Sequence, residues 1–176
     1  MRVISGSHKG RIITAPRNLP VRPTTDMGKE SLFNILMNRF DLREIAALDL
    51  FCGTGNISYE FASRGCPDIT SVDSNQHCYE FVIDTARKLN FTAIHVLRAN
   101  VFSFLQTCNK KFDIIFADPP FELEKIEKIP ILISEQQLLK PGGTMIIEHG
   151  PRTNLSLLAG FLEKRNYGKV NFSIFG

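Results

Sequence analysis

The sequence has 176 residues, of which 43% are hydrophobic and 22% are charged, and its formal net charge at pH 7 is +3. This length fits one domain with a sizeable core, and the composition is that of an ordinary soluble globular protein. No apolar run approaches the roughly 20 residues that a membrane span needs, and residues 1–11 lack the apolar region of a signal peptide, so we expect a cytoplasmic protein.

The first 45 residues predict a small appendage and not a second domain. Apolar pairs at 3–4 and 12–13, separated by Gly6 and Gly10, indicate a short hairpin, and three prolines between residues 16 and 23 force an extended path. The sequence TTD at 24–26 supplies N-cap residues for a helix over about 27–39. We therefore predict one domain over 1–176, in which residues 1–40 form a basic N-terminal extension.

Charge is distributed unevenly between this extension and the rest of the chain. Residues 1–25 contain five basic residues and no acidic one, whereas the remaining 151 residues contain 16 basic and 18 acidic ones. A basic arm on a nearly neutral body indicates a polyanionic partner such as a nucleic acid, although a solvated terminus can have the same composition.

From about residue 45 the sequence alternates between strand and helix patterns. Strands are predicted at 46–51, 69–73, 93–97, 112–117 and 144–148, and a final strand or hairpin at 168–175. Helices are predicted at 56–64, around 79–86, and at 101–107, 124–138 and 153–163. Continuous apolar strands that alternate with helices predict an α/β fold with a mostly parallel sheet and helices on both faces.

Ligands of an open parallel sheet bind beyond the carboxyl ends of its strands, and four features of the sequence fall there. They are a glycine-rich segment, an acid, an asparagine and a D-P-P-F segment, at 49–55, Asp73, Asn100 and 118–121. Each also has a purely structural interpretation, as a tight turn, a helix cap, a second helix cap and a rigid turn with a core phenylalanine. Their coincidence at four successive strand ends favours a ligand site.

The segment 49–55, DLFCGTG, leaves two kinds of adenosine cofactor open. Residues 53–58 nearly match the dinucleotide fingerprint G-x-G-x-x-G/A, with Ser58 in the third small position, so NAD stays an alternative. Asp49 argues against NAD, because a carboxylate beside the turn repels a pyrophosphate but suits the ammonium of an amino-acid tail. S-adenosylmethionine (SAM) has such a tail and carries no phosphate.

Several motifs resemble those of class I SAM-dependent methyltransferases, namely DLFCGTG at 49–55, the acid that ends the second strand, DPPF at 118–121 and LKPGG at 139–143. The [D/N]-P-P-[F/Y] motif marks the branch of that class that methylates exocyclic or amide nitrogens. The N-terminal part is similar to the RsmD family of 16S ribosomal RNA guanine-N2 methyltransferases, in RVISG at 2–6, KGR at 9–11, VRPTTD at 21–26 and KESLFNIL at 29–36. The resemblance covers essentially the whole chain.

This resemblance implies a Rossmann-like fold with a seven-stranded sheet, and it assigns roles to particular residues. The catalytic residues would be Asp118, Pro119 and Phe121. SAM, converted to S-adenosylhomocysteine without a metal, would be bound by Asp49, Phe51, Gly53, Thr54, Gly55, Asp73, Asn100 and Val101. The basic extension would bind 16S ribosomal RNA, in a small-subunit particle and as a monomer, through Arg2, Lys9, Arg11, Arg22, Thr24, Thr25 and Lys29.

The sequence departs from the family pattern in its N-terminal part. The family usually has a tryptophan after the first glycine pair, whereas this chain has His8 and no tryptophan. Two arginines usually follow R-P-T-T-D, but here Met27 and Gly28 intervene and Lys29 is the basic residue. These departures concern the contacts to phosphate and not the reaction.

The segment 118–121 suits the methylation of an aromatic amine. Such an amine is a poor nucleophile, because its lone pair is delocalised into the ring, and it reacts while it still carries its protons. The Asp118 carboxylate and the Pro119 carbonyl would accept hydrogen bonds from it on one rigid turn. Phe121 would stack on the target base, which base flipping or an unpaired loop would deliver.

Three other functions stay open. A SAM-dependent N-methyltransferase of DNA adenine or protein glutamine would keep the nitrogen chemistry, but those branches more often carry asparagine before Pro-Pro and lack the R-P-T-T-D segment. An NAD-binding oxidoreductase needs a catalytic Tyr–Lys or His placement that we do not find in the sequence. A non-catalytic RNA-binding module would not need D-P-P-F.

The four cysteines predict neither a disulfide framework nor a metal site. Cys52, Cys66, Cys78 and Cys108 form no C-x-x-C pair and no metal-ligand spacing with the histidines. We expect reduced cysteines that pack as small apolar side chains.

Overall fold

The computed structural model describes residues 1–16, 19, 26–168 and 170–176. The predicted extended path beyond residue 19 and the predicted RNA contacts of Arg22, Thr24 and Thr25 lie outside these residues. Within them, no helix is long and apolar enough to cross a membrane.

The described part of the chain forms seven strands in one sheet, in the order β3-β2-β1-β4-β5-β7-β6. The strands are β1 Ala46–Leu50, β2 Asp68–Asp73, β3 Ile94–Arg98, β4 Phe112–Ala117, β5 Leu139–His149, β6 Phe161–Tyr167 and β7 Val170–Phe175. The helices are α1 Asp26–Met37, α2 Asn56–Ser63, α3 Gln76–Lys88, α4 Val101–Thr107 and α5 Lys128–Glu135. Strands β1 to β5 pair in parallel and β7 runs antiparallel to β5 and β6, which confirms the predicted mostly parallel sheet.

Helices cover both faces of the sheet, as the continuous apolar strands predict. Helices α1 and α2 bury Leu32 and Phe61 on one face, and α4 and α5 bury Leu105 and Ile133 on the other. The reversal of strand order lies between β1 and β4, so the carboxyl ends of these two strands open on the crevice where such sheets bind ligands.

The N-terminal hairpin is also confirmed. Arg2 and Ile12 form an antiparallel bridge, and backbone hydrogen bonds join Val3 to Arg11 and Ile13 to Met1. Helix α1 follows at Asp26, one residue before the predicted start.

Two predicted helices need correction. The helix predicted over 124–138 is shorter, because Pro130 has no N–H for a mid-helix bond and fits only in the first turn of α5. Gln137, with a φ of 51°, follows its C-terminal end.

The helix predicted over 153–163 is wrong. These residues form turns that lead into β6, with Gly160 at a φ of 77°. The apolar spacing of Leu155 and Leu158 imitates a helix, but Phe161 pairs with Phe175 in the antiparallel hairpin, and that pairing takes the last residues of the predicted helix.

All four cysteines lie in the described part of the chain and are unpaired there. Cys52, Cys66 and Cys78 are buried and Cys108 is partly buried, which agrees with the predicted packing role. Burial raises the pKa of the Cys66 thiol and of the Cys78 thiol to about 11, so both stay protonated at neutral pH.

Candidate functional site

A tight turn connects β1 to α2, and its residues 52–55 are buried. Phe51, Gly53 and Gly55 have φ values of 58°, 51° and 78°, and Gly55 precedes the first residue of α2. A Cβ atom on Gly55 would lie 2.8 Å from Cζ of Tyr59 and 2.9 Å from its hydroxyl oxygen. Glycine is therefore required at 55, both for its conformation and for its close contact with the ring beneath it.

Asp49 lies under this turn and is almost completely buried, with 1% of its surface exposed. Its Oδ2 accepts hydrogen bonds from the backbone N–H of Ser58 at 3.1 Å and from the Ser58 hydroxyl at 2.5 Å. The Ser58 hydroxyl is also 2.7 Å from that of Ser71 in β2. Burial raises the pKa of Asp49 to about 7, more than the Ser58 hydrogen bonds lower it.

Asp73, at the end of β2, joins that strand to the glycine turn. Its Oδ2 accepts a hydrogen bond from the Gly53 N–H at 2.8 Å, and its Oδ1 accepts one from Asn75 at 2.8 Å. The cap of α3 is Asn75, which accepts from the backbone N–H groups of His77 and Cys78. The alternative that Asp73 serves as that cap is therefore wrong, and its contact with a ribose stays a prediction.

Asn100, after β3, is a helix cap. Its Oδ1 accepts hydrogen bonds from the N–H groups of Phe102 at 3.0 Å and Ser103 at 3.2 Å, at the start of α4. The Val101 side chain packs in the core with 3% of its surface exposed. The Asn100 oxygen and the Val101 side chain are therefore already engaged within the protein. The predicted contacts with adenine would have to come from the Asn100 amide nitrogen and the Val101 backbone.

The segment 118–121 leaves β4 beside the end of β1. The Asp118 N–H donates to the carbonyl oxygen of Leu50 at 3.3 Å, which holds the start of the segment against the glycine turn. Pro119 is buried, whereas Phe121 is 66% exposed, so the alternative that Phe121 belongs to the core is wrong. A Cβ atom on Gly150 would lie 3.6 Å from the Phe121 ring, so the backbone after β5 borders the exposed phenylalanine.

Three acids lie on the face of the sheet that α1 and α2 cover. Asp49 bonds to α2, and Glu148 is opposite Phe172, which packs in the cluster on that face. Ala117 of β4 pairs with Ile147 of β5. The next residues along these parallel strands, Asp118 and Glu148, are therefore neighbours. Burial raises the pKa of Asp118 well above its ordinary value, and the charges of Glu148 and Asp49 raise it further.

Glu148 is a residue that sequence reasoning missed. It is 5% exposed and lies at the end of the apolar run of β5. An acid that ends a buried strand is the sequence feature that could have identified it. The glycine turn, Asp49, Asp73 and the segment 118–121 therefore meet at one end of β1 and β4, with a buried acid of β5 beside them.

The predicted RNA-binding residues divide into two groups. Arg2, Lys9 and Arg11 are exposed on the N-terminal hairpin, where Arg2 forms an ion pair with Asp26 at 3.0 Å. Lys29 is 1% exposed, and its ammonium donates to protein oxygens. The prediction that Lys29 contacts an RNA phosphate is therefore wrong, because its charged group is not at the surface.

A family model described as Conserved hypothetical protein 95 matches residues 1–176 of the chain. The chain is 35% identical to "Putative rRNA methyltransferase YlbH" of Bacillus subtilis (strain 168), over 99% of this chain and 98% of that protein. It is 32% identical to "Ribosomal RNA small subunit methyltransferase D" of Buchnera aphidicola subsp. Baizongia pistaciae (strain Bp), over 84% of this chain and 75% of that protein.

Among solved structures, "Putative methyltransferase yhhF from Escherichia coli" superposes with a TM-score of 0.86 and 25% identity. The superposition covers 99% of this chain and 96% of the other.

Proposed function

The chain belongs to the Conserved hypothetical protein 95 family and is an RsmD-type ribosomal RNA methyltransferase, and on that premise we propose that it methylates the exocyclic N2 of a guanine in 16S ribosomal RNA, with SAM as methyl donor. Its fold is the predicted class I, Rossmann-like methyltransferase fold. The observation that carries the proposal is the position of Asp118 and Pro119 at the crevice, directly beside the glycine turn and Asp49.

The residues around the glycine turn fit SAM better than a dinucleotide. Gly53 and Gly55 carry no side chain that would keep a ligand away from their backbone, as a close approach requires. Asp49 offers a buried carboxylate and no cation is paired with it in the described residues, which suits the ammonium of the methionine tail and not a pyrophosphate. We assign Asp49, Phe51, Gly53, Thr54 and Gly55 to this end of SAM.

The other end of SAM is assigned to β2 and β3. A carboxylate can accept about four hydrogen bonds, and Asp73 accepts two from backbone N–H groups. Its remaining lone pairs would bind the ribose hydroxyls. Asn100 and Val101 would contact the adenine at the start of α4. When bound, SAM supplies an electrophilic methyl group on a positively charged sulfur.

Asp118 and Pro119 would orient the guanine amine and stabilise the charge that it acquires. The Asp118 carboxylate accepts one N–H of the amine, and the Pro119 carbonyl oxygen accepts the other. As N2 gains the methyl group it becomes positively charged, and the Asp118 carboxylate stabilises that charge. Asp118 is also the group placed to accept the proton that the methylated nitrogen releases.

The exposed groups around this site would bind the RNA. Phe121, with 66% of its surface exposed, would stack on the target base. Arg2, Lys9 and Arg11 would contact phosphates from the N-terminal hairpin, together with Arg22, Thr24 and Thr25 from the segment that follows it.

We further propose how this activity is organised in the chain and in the cell. Residues 1–176 act as one catalytic domain, with residues 1–40 as its RNA-binding extension, and the enzyme works as a monomer on a protein-bound small-subunit particle. Action on 16S ribosomal RNA implies a cytoplasmic enzyme.

Substitution of Asp118 tests this mechanism. We expect Asp118→Ala to reduce methyl transfer to small-subunit particles by about 10²–10³-fold, as for the loss of one preorganised transition-state partner. Asp118→Asn keeps one oxygen acceptor and should retain more activity than the alanine variant. Titration calorimetry should show SAM affinity within about twofold of the wild type. Near-normal turnover of Asp118→Ala with intact SAM binding would remove the role assigned to Asp118.

A further inference from the structure

Lys29 carries a positive charge that is buried in an unusual place. It lies in the first turn of α1, where the helix dipole disfavours a cation, and it is 1% exposed. Burial lowers the pKa of Lys29, and the nearby Glu60 charge opposes that effect. A buried lysine in this position needs specific partners, and the identity of these partners indicates its role.

The partners of Lys29 come from two parts of the chain that are distant in sequence. Its ammonium donates to the backbone carbonyl oxygen of Arg2 at 2.5 Å and to Oδ1 of Asn56 at 2.8 Å. It also lies 3.5 Å from Oε2 of Glu60. Lys29 therefore joins the N-terminal hairpin to the first residue of α2, which follows the glycine turn directly.

Helix α2 holds the same hairpin through a stripe of polar residues at positions 56, 60 and 63, which share one face of the helix. The Glu60 carboxylate, 0% exposed, accepts the backbone N–H groups of Ile4 at 2.8 Å and Ser5 at 3.0 Å. The Ser63 hydroxyl donates to the carbonyl oxygen of Ser5 at 2.6 Å and accepts the N–H of His8 at 3.0 Å.

The contact between hairpin and helix is close and is made by the backbone of the hairpin. A Cβ atom on Gly6 would lie 1.8 Å from the carbonyl oxygen of Ser63, so only glycine fits there. Because backbone groups make these bonds, the side chains of Arg2, Lys9 and Arg11 stay at the surface, where Arg2 pairs with Asp26.

We propose that Lys29 is a positioning residue that clamps the N-terminal hairpin to α2, the helix that begins at the glycine turn. The clamp holds Arg2, Lys9 and Arg11 in place as a fixed set of phosphate contacts. The RNA part of this inference rests on the proposed function, whereas the clamp itself does not. A basic residue that sequence reasoning assigns to the RNA surface thus acts from the interior.

The test compares three variants with the wild type. Lys29→Met removes the ammonium but keeps an unbranched side chain. Ser63→Ala weakens the same docking without leaving a buried charge unpaired, so it tests the clamp even if Lys29→Met does not fold. Arg64→Met is the matched control, because Arg64 donates to Glu60 at 2.8 Å but makes no hydrogen bond to the hairpin in the described residues.

The first measurement is hydrogen exchange of the wild-type and variant proteins without RNA. We expect the amides of Ile4 and Ser5 to exchange at least about tenfold faster in Lys29→Met and Ser63→Ala than in Arg64→Met, with the amides of β1 unchanged. Equal protection of these amides in all variants would overturn the clamp.

The second measurement is the salt dependence of binding to naked 16S ribosomal RNA. Loss of three phosphate contacts should reduce the slope of log K against log salt by about 2 in Lys29→Met and Ser63→Ala, but not in Arg64→Met. A merely structural role would lower the affinity without changing the slope, and that result would overturn the positioning role. If the wild type transfers no methyl group to ribosomal RNA while the exchange result holds, the proposed function fails and the clamp stands.

Discussion

Replacing Asp49 with asparagine is expected to stabilise the protein at alkaline pH while weakening its binding of SAM. Asparagine keeps the size of the side chain and an oxygen acceptor for Ser58, but it removes a fully buried carboxylate. Because burial raises the pKa of Asp49 from its ordinary 3.8 to about 7, the folded protein holds this proton more tightly than the unfolded chain. The wild-type free energy of unfolding therefore decreases as the pH rises from about 4 to about 7.

The size of the effect follows from the two pKa values of Asp49. At about 1.4 kcal/mol per pH unit, the buried carboxylate destabilises the fold by about 4 kcal/mol at pH 8 and by about 2 kcal/mol at pH 5. The asparagine amide introduces buried N–H groups that cost about 1–3 kcal/mol. We therefore expect Asp49→Asn to be more stable than the wild type by about 1–3 kcal/mol at pH 8, and this advantage should shrink by about 2–3 kcal/mol at pH 5.

Urea unfolding at the two pH values measures the stability difference, and titration calorimetry measures SAM binding. Loss of a hydrogen bond to a charged group should weaken SAM binding by about 1.5–3 kcal/mol, which is about 10- to 150-fold in Kd. Asp84→Asn, at an exposed position of α3, is the control and should change neither quantity. The reasoning is refuted if the stability difference is the same at both pH values, or if the SAM affinity is unchanged.

Three further substitutions probe the turn, the second strand and the exposed phenylalanine. Gly55→Ala should lose more stability in urea unfolding than Gly142→Ala. Both glycines have similar positive φ values, but only a Cβ atom at 55 would meet a ring, at 2.8 Å. Equal losses of stability would contradict the packing argument. Asp73→Ala should strongly weaken SAM binding in calorimetry, because it removes both the predicted ribose contact and a bond to the turn; an unchanged Kd would contradict its assignment. Phe121→Ala should raise the KM for ribosomal RNA by about 5- to 150-fold, from about 1–3 kcal/mol of stacking, with an unchanged SAM Kd; an unchanged KM would show that the ring does not contact the base.

The sheet was predictable from the sequence because its strands carry their own signal. Strands β1 and β4 are short apolar runs bounded by turn residues, and the structure places both within one residue of the prediction. The predicted positions of the glycine turn and of 118–121 at the strand ends followed from topology alone.

Two of the errors have a common physical cause, which is that contacts distant in sequence decided the outcome. The segment 153–163 has helical spacing, but pairing with β7 makes its last part a strand. Lys29 looks like a surface cation on an amphipathic helix, but the carbonyl of Arg2 and the Asn56 side chain surround its ammonium. Neither partner can be identified from the local pattern.

Asn100 illustrates a third kind of limit. Its sequence position is equally consistent with a helix cap and with a ligand contact, and the structure establishes the cap. One side chain can perform both roles, because the cap uses Oδ1 and leaves the amide nitrogen for a ligand.

A methyl-transfer assay tests the central claim most directly. Purified protein and radiolabelled SAM are incubated with unmodified small-subunit particles, naked 16S ribosomal RNA or duplex DNA, and the labelled nucleoside is identified by mass spectrometry. We predict N2-methylguanosine from ribosomal material, with more label from particles than from naked RNA. Label on adenine, or no label on any substrate despite measurable SAM binding, would contradict the proposed reaction and leave only the methyltransferase fold.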